Sequence, residues 1–166
     1  MKYVSADEAV KLVKSGDWVF FQGSTAVPVI IQEALARRAD ELRGVNIVSG
    51  FNITKGPAPF CKPEYKDSFF VNSLFLCADQ RQYVAQGYGS LIPGFLGEFP
   101  SLIRRHEIPI DVACINCSLP DENGYCSYNI SADLAQPAVE SAKIVIAQVN
   151  KSIPYLYGTA MIHESQ

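Results

Sequence analysis

The sequence has little of what marks a metal centre, a nucleic-acid surface or a membrane span. Only two histidines occur, His106 and His163, and neither stands at ligand-like spacing to a cysteine pair. Lysine and arginine total 14 against 17 acidic residues, with no basic cluster. Nucleic-acid binding needs concentrated positive charge to displace phosphate counterions, so that partner class is excluded. The longest apolar runs are a few residues, far short of the ~20 that cross a bilayer, so no membrane span is expected. The stretch Met1 to Glu8 has no apolar segment behind a basic end, which argues against secretion. Five cysteines, an odd number at irregular spacing, read as reduced and mostly buried thiols of a cytoplasmic protein. Internal repeats, low-complexity tracts and composition shifts are absent too, so residues 1–166 are read as one domain.

What is present is a large apolar fraction, 48%, against 19% charged, which suits a globular core. Strand-like and helix-like segments alternate. Ser5-Ala6-Asp7-Glu8 has the pattern of a capping box, opening a helix that runs towards Ser15-Gly16-Asp17. Trp18 to Gln22 is a short apolar run bounded by turn signals, hence a buried strand. Gly23 to Val27 follows as a small-residue loop, and Pro28 suits a first helical position. The second helix, Pro28 to Leu42, places Ile30, Ile31, Ala34 and Leu35 on one face and ends at Gly44. Val45–Val48, Phe69–Leu76, Ile110–Cys117 and Ile144–Val149 read as further strands, with a proline-rich ordered loop over residues 54–63 and a helix from Ser131 to Ala142. Repeated strand–helix–strand units imply right-handed crossovers, giving a three-layer α/β domain: an open, mostly parallel sheet with helices on both faces.

In such a sheet ligands collect beyond the carboxyl ends of the strands. The loop Gln22-Gly23-Ser24-Thr25 between the first strand and the Pro28 helix is therefore the leading local candidate. Free amides at a helix start favour phosphate or carboxylate, although a plain tight connection has the same residues. Cys114 and Cys117, with Cys126 beyond, invite a redox or zinc reading. Residues three apart on a strand face opposite ways with Cα atoms roughly 10 Å apart, so buried structural thiols are the stronger reading. His106, among Arg104, Arg105 and Glu107, reads as a solvated helix end. Glu98 stands alone among apolar residues, either as a buried and satisfied carboxylate or as a site residue, with the structural reading favoured. Asp121-Glu122-Asn123-Gly124-Tyr125 is a turn signal, and Ser127-Tyr128-Asn129 offers a second set of polar side chains.

Read with its surroundings, that turn carries a resemblance. Ile110-Asp111-Val112-Ala113, the run Ser118 to Ser127 and the run Ala142 to Asn150 resemble the acetyl-CoA hydrolase/CoA-transferase family, which includes 4-hydroxybutyrate, butyrate and acetate CoA-transferases. Gly56-Pro57-Ala58-Pro59-Phe60, Asn72-Ser73-Leu74-Phe75, Gly94 to Pro100 and Pro154 to His163 extend it over nearly the whole chain. Gln148 departs from the glutamate usual there, and Tyr155-Leu156-Tyr157-Gly158 replaces a run that often carries arginine.

The resemblance implies an N-terminal half of the CoA-transferase fold. The nucleophilic glutamate is then expected in a C-terminal half that this sequence does not contain, and no catalytic residue is assigned here. That glutamate would take CoA from an acyl-CoA and pass it to a small carboxylate, or to water in a hydrolase. No permanently bound cofactor and no metal are expected; the coenzyme A thioester is a substrate. The substrate-facing residues implied are Gln22, Gly23, Ser24, Thr25, Gly50, Phe51, Tyr88, Gly89 and Pro93. Expected partners are acyl-CoA, a small carboxylate, the C-terminal half and a second copy in a homo-oligomer. A half without its mate should be inactive and expose an apolar, association-prone surface. A stand-alone ligand-binding module without chemistry is the reading outside the enzyme class.

Overall fold

A computed structural model describes residues 2–128 and 131–166. Its centre is a sheet of six strands: β1 (Trp18–Phe21), β2 (Val45–Ser49), β3 (Phe69–Ser73), β4 (Gly89–Leu91), β5 (Val112–Cys117) and, at the far edge, Ile144–Val149. A short strand β6 (Tyr125–Ser127) precedes that last one, which is therefore β7. The spatial order is β4-β3-β2-β1-β5-β7, and every pairing in it is parallel. β6 pairs instead with β8 (Met161–His163) in a small antiparallel ribbon.

The two faces of the sheet each bury their own core, and the period of a strand decides which residue goes where. On β1, Val19 and Phe21 enter one core and Phe20 the other. On β5, Val112 and Cys114 go one way while Ala113, Ile115 and Cys117 go the other. Ile31, Ala34 and Leu35 of α2 (Val29–Ala36), preceded in the chain by α1 (Ala6–Ala9), cover the first face. Tyr83 of α3 (Ala78–Tyr83) joins them there. Phe99 and Ile103 of α4 (Phe99–Arg104), with Ala135, Ala138 and Val139 of α5 (Ala135–Ser141), cover the second. The expected three-layer α/β architecture is the one observed.

Several boundaries differ for physical reasons. Ser5 caps α1 by accepting the Glu8 amide at 3.2 Å, but the Glu8 carboxylate pairs with Lys11 instead of reaching back, so half of the capping box forms. Ser5→Ala should cost about 1 kcal/mol, read as a lower urea midpoint. α2 ends at Ala36, not Leu42: Arg38 turns its guanidinium onto the carbonyls of Val10 and Val13, and Ser68 donates to Ala39 O at 2.6 Å, which holds residues 37–41 as turns. Ile30 is exposed rather than buried, since Ile31, Ala34 and Leu35 make the i, i+3, i+4 set and Ile30 lies off that stripe. α5 begins at Ala135 rather than Ser131, because the Ser131 carbonyl is taken by the Gln22 side chain. At the amino ends of the strands Asp111 ties the sheet together, accepting from Trp18 N at 2.9 Å and Lys143 Nζ at 2.7 Å.

Candidate functional site

The chain runs outward from β1 to β4 on one side, then returns to place β5 on the other side of β1. The carboxyl ends of β1 and β5 are thus a topological switch point, where open α/β sheets leave a crevice. Gln22 stands in it, fully buried at 0% exposure. Its Nε2 donates to the carbonyls of Tyr128 at 2.9 Å and Ser131 at 2.8 Å, and its Oε1 accepts the Asn116 amide at 2.7 Å. Both amide hydrogens and the oxygen of this side chain are engaged by backbone, so Gln22 acts on the site by bracing its floor.

The next residues form a ledge. Gly23 lies so close to the loop after β2 that a Cβ would come within 2.6 Å of Phe51 O. Ser24 sits at φ 55, a left-handed conformation that costs a non-glycine residue free energy. It is held there by bridge pairing with Asn52: Ser24 N–H donates to Phe51 O, and Ile53 N–H donates to Ser24 O at 3.1 Å. Thr25 is exposed beside it, and Gly50 is buried behind it with Leu134 as its nearest neighbour. Phe51 is 47% exposed and meets the 57% exposed Phe75 edge-on at 5.4 Å, so both rings face outward at the carboxyl edge. A cleft of about 370 Å³ opens alongside, between Thr25–Val29 and residues 53–59, with Lys55 and Glu33 among its walls. A larger cleft, about 660 Å³, lies at the β7 edge by the chain termini and includes none of the predicted residues. Gln148 lines it and accepts the Ile30 amide at 3.3 Å.

The structure therefore brings Gln22, Gly23, Ser24, Thr25, Gly50 and Phe51 together. Pro93 reaches the same edge of the sheet, because Ile92 N extends the β3–β4 pairing to Ser73 O at 2.9 Å. Tyr88 and Gly89 do not join them. Gly89 is level with Val71 in mid-sheet, three strands from β1, and Tyr88 packs on Tyr83 at 5.2 Å, whose hydroxyl bonds Phe69 O at the amino end of β3. A Cβ at Gly89 would meet Val71 O at 2.5 Å, so its glycine is explained by packing.

Other candidates resolve as follows. Glu98 is exposed, not buried, and accepts the Phe95 amide at 3.1 Å at the head of α4. Cys114 and Cys117 do point to opposite faces, and all five thiols are free. Burial pushes the Cys117 thiol up to about 12, and Cys126 lies beside it. Among the described residues no cluster of three or more histidine, cysteine or acidic side chains could hold a metal. Ser127 and Tyr128 are buried, while Asn129 lies outside the described residues. Burial raises the Tyr128 hydroxyl to about 12, leaving it neutral near pH 7.

Sequence reading missed the polar layer under the ledge. Asn52 Nδ2 donates to Asp79 at 2.9 Å, Asn52 N donates to Cys77 Sγ at 3.3 Å, and Gln80 Nε2 donates to Ser49 Oγ at 2.6 Å. The available signal was an acid and an amide, Asp79 and Gln80, directly following the apolar run Leu74 to Ala78.

Residues 1–165 match the family model described as the acetyl-CoA hydrolase/transferase N-terminal domain. The chain belongs to that family. A 4-hydroxybutyrate coenzyme A transferase of Clostridium kluyveri is 37% identical over 164 residues, covering 99% of this chain and 38% of that protein. A butyryl-CoA:acetate CoA-transferase of Anaerostipes caccae is 33% identical, covering 95% of this chain and 35% of its own length. Among solved structures, a 4-hydroxybutyrate CoA-transferase from Porphyromonas gingivalis superposes with a TM-score of 0.74 at 32% identity, over 98% of this chain and 36% of that one. RipA from Yersinia pestis shares the fold at a TM-score of 0.88 with 24% identity, over 98% of this chain and 40% of that one. This hydrolase/transferase domain thus spans well under half the length of the relatives it matches. Among its described residues no helix is long and apolar enough to cross a membrane.

Proposed function

We propose that this domain is the substrate-side half of a cytoplasmic CoA-transferase, moving CoA between a short-chain acyl-CoA and a carboxylate such as 4-hydroxybutyrate, butyrate or acetate. The observation that carries the reading is the ledge: Ser24 pinned in a left-handed conformation against Phe51, at the switch point, with outward-facing aromatic rings beside it. Non-glycine residues keep such a conformation where surrounding contacts over-determine it, which is common at ligand clamps.

In this reading a glutamate from a second α/β half attacks the acyl-CoA carbonyl and CoA leaves as thiolate, giving an acyl–glutamyl anhydride. The thiolate then attacks the glutamyl carbonyl, releases the first carboxylate and forms a glutamyl-CoA thioester. An acceptor carboxylate reverses both steps. No bound cofactor is needed. The ledge supplies an apolar wall that packs on the acyl chain and keeps water from the thioester, whose hydrolysis would waste the intermediate. Gln22 keeps the floor of that wall rigid, and the second half and a second copy of the chain cover the outward-facing aromatic rings.

The test uses the complete enzyme, this domain with its second half, incubated with acetyl-CoA with and without butyrate. Butyryl-CoA should form only when butyrate is present, and the domain by itself should give no turnover. CoA release at the same rate without butyrate would replace transfer by hydrolysis. Phe51→Ala should raise KM for the acyl donor about tenfold or more, because a buried phenyl contact is worth about 1.5–3 kcal/mol.

A further inference from the structure

Asp79 is the least expected polar group near the ledge. It is 6% exposed, and none of the ion pairs among the described residues reaches it. A bare carboxylate in such a place carries a large desolvation cost, and its remedy is a cation or a proton. Its one side-chain partner is an amide: Asn52 Nδ2 donates to Asp79 Oδ2 at 2.9 Å. Two oxygens of this pair, Asp79 Oδ1 and Asn52 Oδ1, are buried with no partner. Both are acceptors when the acid is ionised, and one proton on Asp79 Oδ1 supplies the donor the pair lacks. An acid and an amide can then close a ring of two hydrogen bonds. Turning the Asn52 amide over leaves the same need, since its carbonyl would then face Asp79 Oδ2.

The titratable groups around this carboxyl are thiols. Cys61 comes from the loop after β2, lies close enough to Asp79 to feel a charge there, and is held as a neutral thiol chiefly by burial. Cys77, just before α3, accepts from the Asn52 backbone N–H through its sulfur. Arg81 of the same helix extends its guanidinium to Leu76 O. Burial is the largest influence on Asp79 and raises it, while the Asn52 amide and its own backbone N–H lower it by less.

We propose that Asp79 is a neutral carboxylic acid and a positioning residue, closing a two-bond pair with Asn52 that fixes Phe51 and Ser24 in the ledge. Asn52 lies between them in both senses: it is bridge-paired with Ser24 and follows Phe51 in the chain. Asp79 O also accepts Ala58 N at 3.0 Å, so the same residue anchors the far end of the loop. The inference rests on the functional reading above for its consequence in turnover, and on the pair alone for its proton.

The sign of the pH effect follows. A carboxyl that holds its proton more tightly folded than unfolded stabilises most below the unfolded value of about 3.9, and that contribution is lost as pH rises towards its folded value. Asparagine mimics the neutral acid by donating from Nδ2 to Asn52 Oδ1. In the complete enzyme Asp79→Asn should therefore keep kcat/KM within about twofold, and its urea midpoint should rise relative to wild type between about pH 4 and pH 8. Asp79→Ala should lower kcat/KM about 10–100-fold through displacement of the ledge. The wild-type minus Asp79→Asn infrared difference spectrum at pH 7 should contain a protonated carboxyl band. A carboxylate band instead, or an Asp79→Asn midpoint that falls relative to wild type as pH rises, would overturn the neutral acid. Asp79→Ala with unchanged kcat/KM per folded molecule would overturn positioning; if that variant does not fold, Asn52→Ala takes its place. A wild-type enzyme with no CoA transfer at all would sink the functional reading instead, leaving the infrared and midpoint results to decide the proton.

Discussion

Replacing Gln22 with leucine should lower the unfolding free energy by about 3–5 kcal/mol, more than any surface change. The volume is nearly kept, so the cost is one of unpaired backbone. Asn116 N–H loses its acceptor, and the carbonyls of Tyr128 and Ser131 lose their donors, all at a position with 0% exposure. Each stranded group costs about 1–3 kcal/mol, and the three are coupled, so the sum falls short of three full penalties. Urea unfolding at fixed pH checks this. Gln22→Glu gives the complementary result: its carboxyl faces two carbonyls and is stable only when protonated. The variant should be most stable below about pH 4.3 and lose stability as pH rises through the raised folded value. A leucine variant within about 1 kcal/mol of wild type would show that the crevice admits water to these groups. Turnover of the folded Gln22 variants in the complete enzyme, with kcat and KM both unchanged, would remove the residue from the site.

Gly23→Ala should cost about 1–3 kcal/mol and also reduce CoA transfer. The added methyl would lie 2.6 Å from Phe51 O, a backbone atom that cannot rotate away. Relief requires the loops after β1 and β2 to part, which moves Ser24 and Phe51, the two ends of the ledge. Gly97→Ala is the matched control, because a Cβ there meets nothing within 4 Å. It should be neutral or slightly stabilising through lost unfolded-state entropy. Calorimetry on both variants, with transfer assays beside it, separates crowding at this position from a general dislike of alanine. Equal midpoints for the two variants would remove the close approach as a constraint.

Much of the fold could be read from local pattern. β1, β2, β5 and β7 are short apolar runs between turn residues, and each appears within a residue or two of its expected span. The opposite facing of Cys114 and Cys117 followed from strand period alone, because alternation is a property of the backbone and not of its neighbours. Helix lengths were less legible. α2 and α5 are cut short where Ser68 and Gln22, side chains from elsewhere in the chain, claim carbonyls a longer helix would use, those of Ala39 and Ser131. β4, β6 and β8, three residues each, carry too little pattern to be seen without their partners.

Local pattern was enough for the α/β class, the parallel central strands, the opposite facing of Cys114 and Cys117 and, through ordered motifs along the whole chain, the family. Apolar periodicity and turn chemistry act over a few residues, so they survive being read one segment at a time. It took the packed chain to show that Gln22 is a brace with both amide hydrogens and its oxygen engaged by backbone, that Tyr88 and Gly89 stand apart from the ledge, and that Asp79 lies buried against Asn52. Gln22 and its partner Ser131 are 109 residues apart, and Asn52 and Asp79 are 27 apart. Burial and hydrogen-bond satisfaction are sums over such distant neighbours, and the order of strands in the sheet sets which neighbours those are.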